Sequence, residues 1–150
     1  MDVINGPMDF LAPAFALSKL GQELERRGQT DDAIKEYQEA IKLDPDKSAA
    51  HTRLATAYAN QGQHESAARE FQEVLRLNPQ DPAAHHGLGV SYNALGQRDQ
   101  AIASLQQAVR FYLIAGQRDQ AMPAYELQKK LMAEKAPPPP PTVRQKQEKK

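Results

Sequence analysis

The sequence predicts an all-α solenoid, in which helical hairpins stack as three repeats followed by a C-terminal capping helix. Three observations support this fold class. A Gly-Gln pair recurs at equal intervals, at Gly28, Gly62 and Gly96. Apolar and small residues recur at matching positions within each interval. A fourth pair follows at Gly116, after a much shorter interval. A period of about 34 residues is typical of a helix–turn–helix unit that stacks on copies of itself, so the short last interval indicates a modified end.

The first half of each repeat has the spacing of a helix. The repeats cover residues 14–47, 48–81 and 82–115. In the first repeat, Leu20, Gly21 and Leu24 follow an i, i+1, i+4 pattern that places one apolar stripe on a helix. The small residue in this pattern allows a second helix to approach closely. The matching residues are Leu54, Ala55 and Tyr58 in the second repeat, and Leu88, Gly89 and Tyr92 in the third.

The second half of each repeat predicts another helix. It follows a glycine that suits the left-handed conformation at the end of the first helix. Ala33, Tyr37 and Ala40, at i, i+4 and i+7, form its apolar stripe. Asp81-Pro82 favours the start of the next repeat, because Asp accepts free N–H groups and Pro fits the first helical turn. The residues that match the stripe are Ala67, Phe71 and Val74, then Ala101, Leu105 and Ala108.

This arrangement resembles the tetratricopeptide repeat (TPR), whose consensus runs aromatic, Leu-Gly, Tyr, Ala, Phe and Pro. Leu17, His51 and His85 occupy the leading aromatic position and depart from the consensus. The resemblance extends over residues 14–115 in unbroken register. It implies a TPR superhelix that binds other proteins without catalysing a reaction. The matching residues are Leu20-Gly21, Leu88-Gly89, Tyr58, Tyr92, Ala33, Ala67, Phe71, Pro45 and Pro79.

The third repeat ends differently from the first two. No proline follows Phe111, and the pattern matches again only when the frame is shifted so that Gly116 takes the place of Gly96. A helix over about residues 99–115 therefore matches both the second helix of the third repeat and the first helix of a compressed fourth unit. Residues 116–135 form the capping helix, over about 118–134, which Pro123 delays or kinks. Terminal repeats are often atypical because they shield the last apolar face.

The two ends of the chain lie outside the repeats. We expect residues 1–13 to cap the first helix, or alternatively to lie in the groove. Residues 136–150 contain five consecutive prolines and then a polar, basic stretch, and we expect a disordered tail. This tail is either a spacer to another domain or the end of the protein. The apolar residues of the N-terminal segment are Val3, Ile4, Met8, Phe10 and Leu11.

Composition limits the class of protein. The chain has 19 basic and 19 acidic residues, and the basic tail leaves the rest mildly acidic, which argues against nucleic acid as the main partner. The absence of cysteine excludes disulfides and thiol chemistry. The sequence has neither a secretory leader nor an apolar run of the roughly 20 residues needed to span a membrane. We expect a soluble cytoplasmic protein without membrane insertion.

The sequence does not indicate an enzyme. It contains no Gly-rich phosphate loop, metal-ligand cluster or nucleophile motif. His51 and His85 share one repeat position, so packing explains both, and His64 falls in a turn. His86 is adjacent to His85 and points in another direction on a helix. We therefore predict no catalytic residues, no metal site and no cofactor.

The resemblance implies a concave groove, lined by the first helices, that holds a peptide or partner protein. Its Thr, Asn and His side chains can hydrogen-bond a peptide backbone, and Arg53, together with Arg110, could attract an acidic residue. Alternatively, the small residues of this lining only permit curvature. The groove residues implied are Gln22, Arg26, Thr52, Arg53, Thr56, Asn60, His86, Val90 and Asn93.

One activity of the TPR family is predicted to be absent. TPR domains that grip the C-terminal Glu-Glu-Val-Asp of heat-shock chaperones use Lys, Asn, Asn, Lys and Arg at five groove positions. Only one of the matching residues here is cationic, whereas a carboxylate needs several converging donors to offset its lost hydration. The matching residues are Ser18, Gln22, Arg53, Ala83 and Gly87.

A second candidate surface is the apolar run Phe111, Tyr112, Leu113 and Ile114. Four consecutive residues cannot share one helical face. We expect either burial beneath Met122, Tyr125 and Leu131, or an exposed patch for self-association or a partner. The sequence thus favours a peptide-binding adaptor or scaffold. The alternatives are a self-associating scaffold subunit, as in a homo-oligomer, and the TPR domain of a larger regulator or enzyme.

Overall fold

The computed structural model describes residues 8–135, with side chains described from residue 13 onward. Within this range the backbone forms seven α-helices and no strand, as the predicted all-α class requires. The tail from 136 to 150, and the apolar side chains expected to form the N-terminal cap, lie outside the described residues. The helices are α1 (Met8–Arg26), α2 (Thr30–Leu43), α3 (Ser48–Asn60), α4 (His64–Leu77), α5 (Pro82–Ala94), α6 (Arg98–Ile114) and α7 (Arg118–Lys135).

One type of turn closes all four hairpins. Its φ angle is 79° at Gly28, 79° at Gly62, 78° at Gly96 and 75° at Gly116. Glycine adopts this left-handed region without steric penalty. The N–H of the next residue then donates to a carbonyl five residues earlier, from Gln29 to Leu24 at 2.8 Å and from Gln117 to Tyr112 at 2.8 Å. This bond satisfies a carbonyl that the helix end leaves free.

Each hairpin packs both within itself and against its neighbour. A Cβ at Gly21 would lie 2.5 Å from Tyr37 Cε1, so only glycine lets α1 approach α2 this closely. Leu54 of α3 packs in one cluster with Ala33 and Ile34 of α2. The leucine of a first helix is therefore covered by the second helix of the preceding repeat.

The first repeat differs from the prediction at Leu20. This residue is 46% exposed, whereas Leu54 and Leu88 are 3% and 6% exposed. The reason is that no helix precedes α1 within the described part of the chain. The helix itself begins at Met8, ahead of the repeat boundary at residue 14, so α1 includes part of the N-terminal segment.

Helix α6 packs between α5 and α7 and takes part in two hairpins. It has 17 residues, compared with 14 in α2 and 14 in α4. The added turn contains Tyr112, which takes the position before the glycine turn that Tyr92 holds in the third repeat. Tyr112 is buried in a cluster with Leu105 of its own helix and Leu131 of α7.

Helix α7 covers α6 only in part. It begins at Arg118 with Pro123 inside it, so the expected delay does not occur. One side of α7 is buried against α6 through Ala121, Ala124 and Leu131. The adjacent flank, formed by Met122, Tyr125 and Met132, is exposed. Of the three residues expected to cover the 111–114 run, only Leu131 is buried.

Candidate functional site

Helices α1, α3 and α5 lie side by side, and we call their shared exposed surface the first-helix face. The repeat register aligns its residues in rows, such as Gln22 with Thr56 and Val90. All nine residues predicted for the groove lie on these three helices, and none is fully buried. The face is therefore accessible along its length.

The threonine hydroxyls of this face are already used as donors. Thr56 Oγ1 donates to Thr52 O at 2.9 Å, and Thr52 Oγ1 donates to Ser48 O at 3.0 Å. Their oxygens can still accept a hydrogen bond. The side-chain donors expected of Thr52 and Thr56 thus act within α3, whereas the amides of Asn60 and Asn93 are exposed.

Arg53 is the exposed charge at the centre of the first-helix face. Behind it, the Tyr37 hydroxyl donates to the Glu25 carboxylate. Burial and this hydrogen bond raise the pKa of Tyr37, while the positive charge of Arg53 acts in the opposite direction. No carboxylate among the described side chains lies within 4.0 Å of the Arg53 guanidinium. Its charge is therefore available to an incoming ligand.

Arg26, in contrast, is already paired. Its Nη2 and Nε lie 2.5 Å and 3.0 Å from the two carboxylate oxygens of Glu23. This hydrogen bonding raises the pKa of Arg26, and the Arg26 hydrogen bond lowers the pKa of Glu23. Arg26 is exposed and Glu23 is partly exposed, and the pair is a weaker candidate for ligand binding than Arg53.

Phe15 is a residue of the first-helix face that sequence reasoning missed. It is exposed, and both Lys19 Nζ and Lys47 Nζ lie 5.4 Å from its ring centroid. Ammonium groups are attracted to an aromatic face at this distance. The repeat register would have revealed it, because Phe15 aligns with Ala49 and Ala83 of the face. One end of the face therefore combines an aromatic ring with two positive charges.

The other end of the face is formed by α5. The His86 ring meets Tyr112 edge-on, with centroids 6.1 Å apart. Burial lowers the pKa of His86, so this end gains charge only in acid. Val90 and Asn93 are exposed beside it. The first-helix face is therefore apolar and neutral at its α5 end, and cationic at its centre and at its α1 end.

The five chaperone-clamp positions carry few of the groups that would bind a carboxylate. Ser18 is buried, and its hydroxyl has no hydrogen-bond partner among the described residues. A Cβ at Gly87 would overlap the Phe71 ring, so a cationic side chain does not fit there. Arg53 remains the one positive charge among the five.

The apolar run at the end of α6 is divided between core and surface. Tyr112 is buried and Phe111 is half-buried, with its ring stacked on His85 at 5.4 Å. Arg110 lies over the same ring at 5.6 Å. Leu113 and Ile114 are 51% and 70% exposed. The candidate patch therefore reduces to these last two residues, because the others contribute to packing.

His51 and His85, which share a repeat position, each form a hydrogen bond to the loop that precedes their helix. His51 Nε2 lies 2.8 Å from Pro45 O, and His85 Nε2 lies 2.9 Å from Pro79 O. Because a carbonyl can only accept, each Nε2 carries a proton and donates it in the hydrogen bond. No group of three metal-ligating side chains occurs among the described residues. Nor is any helix in that part of the chain both long and apolar enough to cross a bilayer.

The helical hairpins, the glycine turns and the open first-helix face define a helical-repeat protein. The sequence profile of the tetratricopeptide repeat matches residues 18–82 and 52–112. The chain therefore belongs to the tetratricopeptide repeat family. No curated protein is significantly similar to it in sequence.

Solved structures show the same fold. PcrH in complex with the chaperone binding region of PopD matches with a TM-score of 0.78 at 20% identity, over 90% of this chain and 100% of that one. The Sgt2 TPR domain from Aspergillus fumigatus matches with a TM-score of 0.75 at 24% identity, over 89% and 91%. The TPR2B domain of yeast Sti1, in a complex with pHsp70, gives 0.77 at 19% identity, over 82% and 98%.

Proposed function

We propose that this chain is a non-enzymatic interaction module that holds an extended peptide or partner segment on the first-helix face, as an adaptor or scaffold. The observation that carries the proposal is Arg53, which no described carboxylate pairs, at the centre of an accessible face lined by small residues such as Ala49 and Ala83. Several structural neighbours bind peptides, including an HSP90 peptide on the first TPR of Spaghetti. A cytoplasmic location and the absence of nucleic-acid binding stay predictions.

The ligand chemistry follows from the face. Arg53 favours an acidic residue near the middle of the peptide, and the Lys19 and Lys47 ammonium groups favour another toward α1. Asn60 and Asn93 can bond the peptide backbone. A face this short favours moderate affinity, and micromolar binding corresponds to about −8 kcal/mol, which is suited to reversible assembly.

The test is an affinity capture with three forms of the chain. The first is unchanged, and the second carries Arg53→Glu and Asn93→Ala on the first-helix face. The third carries Lys35→Glu and Gln106→Ala, a matched charge change on exposed positions of the second helices. We expect a partner retained by the first and third forms and lost by the second, with its direct binding then measured by calorimetry. Partners retained equally by all three forms would contradict the proposal.

The chaperone peptide gives a narrower test. We predict no binding of a peptide ending in Glu-Glu-Val-Asp, because four of the five clamp positions lack a charge and one of them has no room for a larger side chain. Fluorescence anisotropy with a labelled peptide measures this directly. Micromolar binding that disappears in Arg53→Ala would show this prediction to be wrong.

A second candidate function is self-association, favoured by the exposed Leu113 and Ile114. In that case Leu113→Glu lowers the mass measured by light scattering and leaves the helical content unchanged. A mass that stays monomeric in the unchanged chain at all concentrations would exclude it. Membership in a larger regulator or enzyme stays open as a third interpretation.

A further inference from the structure

A second cleft, separate from the first-helix face, lies between α4 and α6, with α5 beneath it. Its volume is about 280 Å³. None of the residues that line it is acidic, Lys or Arg, and its floor is largely apolar. The lining residues are Leu75, His85, Leu88, Tyr92, Gln100, Ala103, Ser104 and Gln107.

The preceding junction, between α2 and α4, shows what normally occupies this position. Each lining residue has a counterpart one repeat earlier, and the counterparts of Ser104 and Gln107 are Glu70 and Glu73. Glu70 Oε1 reaches across to His51 Nδ1 at 2.8 Å. At the first junction, a charged side chain from α4 thus lies over the α3 floor and bonds to it.

The second junction has no such bond from α6 among its described side chains. His85 bonds the Pro79 carbonyl through Nε2, and its ring stacks on Phe111 with centroids 5.4 Å apart, with no side-chain hydrogen bond to Ser104. The Tyr92 hydroxyl at the cleft accepts a hydrogen bond from Gln72 Nε2 at 2.9 Å. The cleft therefore presents an uncharged floor of rings and aliphatic groups, with Ser and Gln side chains on the α6 wall.

The chain itself leaves α7 beside this cleft. Lys135, the last residue of α7, places its Nζ 2.5 Å from Asp99 Oδ1. Asp99 is next to Gln100, which lines the cleft, and one surface depression is lined by both Gln100 and Lys135. Only Ala136 separates Lys135 from five consecutive prolines. In the sequence, the proline segment thus follows one residue after Lys135, the last described residue, which lies beside the cleft.

A run of prolines suits this lining. Proline lacks a backbone N–H, so the segment can lie against an apolar floor without burying an unsatisfied donor. Polyproline segments pack their rings on aromatic-lined grooves, and their exposed carbonyls accept hydrogen bonds. Tyr92 supplies the aromatic surface, and Gln100, Ser104 and Gln107 supply donors. Five residues in this conformation span about 15 Å, and the wall from Gln100 to Gln107 is about 10 Å long.

We propose that residues 137–141 of the same chain dock in the cleft between α4 and α6. Because only one residue tethers the segment to α7, its effective concentration at the cleft is in the millimolar range. The segment therefore occupies the cleft of its own molecule even if the contact is weak. The docked segment covers the exposed part of Tyr92 and takes the place that Glu70 occupies in the preceding junction. The proposal is independent of any ligand on the first-helix face.

The experiment uses the full chain, which contains no cysteine, so that one introduced cysteine can be labelled specifically. Thr142→Cys gives a single attachment site for a nitroxide spin label just beyond the prolines. In a ¹⁵N-labelled sample we expect loss of amide signal intensity for residues 100–107 and for Leu75, and unchanged intensity for Thr56 and Asn60 on the first-helix face. Ser104→Glu, which copies Glu70, abolishes this loss. Gln106→Glu adds the same charge at an exposed position outside the cleft, and we expect the loss of amide signal to remain in this variant.

Replacing Pro138, Pro139 and Pro140 with serine also abolishes the loss and leaves the folded helices untouched, so it decides the matter even if Ser104→Glu does not fold. Signal loss that is uniform over the surface, or that survives both changes, overturns the proposal. So does the same loss in a mixture of two proteins, one spin-labelled but without ¹⁵N and the other ¹⁵N-labelled but without the spin label. That result would assign the cleft to the tail of a second copy.

Discussion

The fourth hairpin uses the same turn as the first three, but it reuses a helix that already belongs to the third. In the first two repeats a proline follows the second helix, at Pro45 and Pro79, and a new first helix begins afterwards. In the third repeat Leu113 stands at the corresponding position, so α6 continues for another turn until Gly116 ends it. The turn is therefore encoded locally by Gly-Gln, whereas the pairing of helices depends on where the preceding helix is allowed to stop.

A second difference concerns the large residue in the middle of each second helix. Tyr37, Phe71 and Leu105 are buried, but Tyr125, four residues after Ala121 in the same pattern, is exposed. Phe71 packs with Leu88 of the following repeat. The large residue is thus covered by the next hairpin, and within the described residues none follows α7.

The largest expected effect tests the shared role of α6. Leu105→Ala removes a fully buried side chain that contacts both α5 and α7, and we expect a loss of about 3 kcal/mol in unfolding free energy. Repeat arrays are stabilised by nearest-neighbour contacts. Hydrogen exchange should therefore show lost protection in α5 and in α7 together.

The matched control is Leu54→Ala, the same change at a buried position in the second repeat. We expect a similar loss of overall stability by urea denaturation, with exchange accelerated first in α2 and α3. If Leu105→Ala left α7 protected while α5 exchanged faster, α6 would not be acting as a shared helix.

The next effect compares two turns. Gly116→Ala and Gly28→Ala both place a Cβ on a residue with φ near 75° to 79°, and in neither case does another atom lie within 4 Å of it. The cost is then purely conformational, about 1–2 kcal/mol. Urea denaturation should give nearly equal losses for the two variants. A negligible loss for Gly116→Ala alone would mean that the fourth hairpin adds little to stability.

A smaller effect concerns pH at the junction of the third and fourth hairpins. Burial lowers the pKa of His86 in the folded chain, so the unfolded chain binds this proton first as the pH falls. The stability from neutral His86 is complete above its unfolded pKa of about 6.5 and is lost as the pH falls toward the folded pKa. His86→Gln should flatten the fall in unfolding free energy as the pH drops below about 6.5. An unchanged slope would refute this assignment.

The smallest effect is expected where α7 meets the start of α6. Lys135 and Asp99 form an exposed ion pair, as do Arg98 and Glu134. Exposed pairs contribute about 0–1 kcal/mol. Lys135→Ala should therefore shift the thermal midpoint only slightly, and added salt should remove the difference. A large shift would indicate that the C-terminal contact holds α7 in place.

The repeats and their turns were predictable because they depend on local chemistry. Glycine at positive φ and apolar residues at helical spacing need no knowledge of distant contacts. The exposure of Leu20 was not predictable from its own repeat, because the covering surface belongs to a preceding helix. The start of α1 at Met8 was also missed, since the repeat boundary at residue 14 says nothing about how far a first helix extends.

The candidate site was predictable in position and less so in chemistry. The register placed Arg53 and Asn93 on the first-helix face. It could not show that Glu23 engages Arg26, or that Thr52 and Thr56 donate to their own helix. These pairings depend on side-chain conformations that are chosen among several close alternatives. Phe15 does not follow from the polar residues of the face, although its position in the repeat register is visible in the sequence.

The double use of α6 has a consequence for how such arrays change length. Because the Gly-Gln turn acts locally, a helix that runs into it early pairs with the helices on both sides, and the array then contains one helix fewer. Deleting the segment that encodes one helix would therefore shorten a repeat array and still leave its remaining helices paired. Splicing residues 98–135 onto a longer array would use the same route to end it.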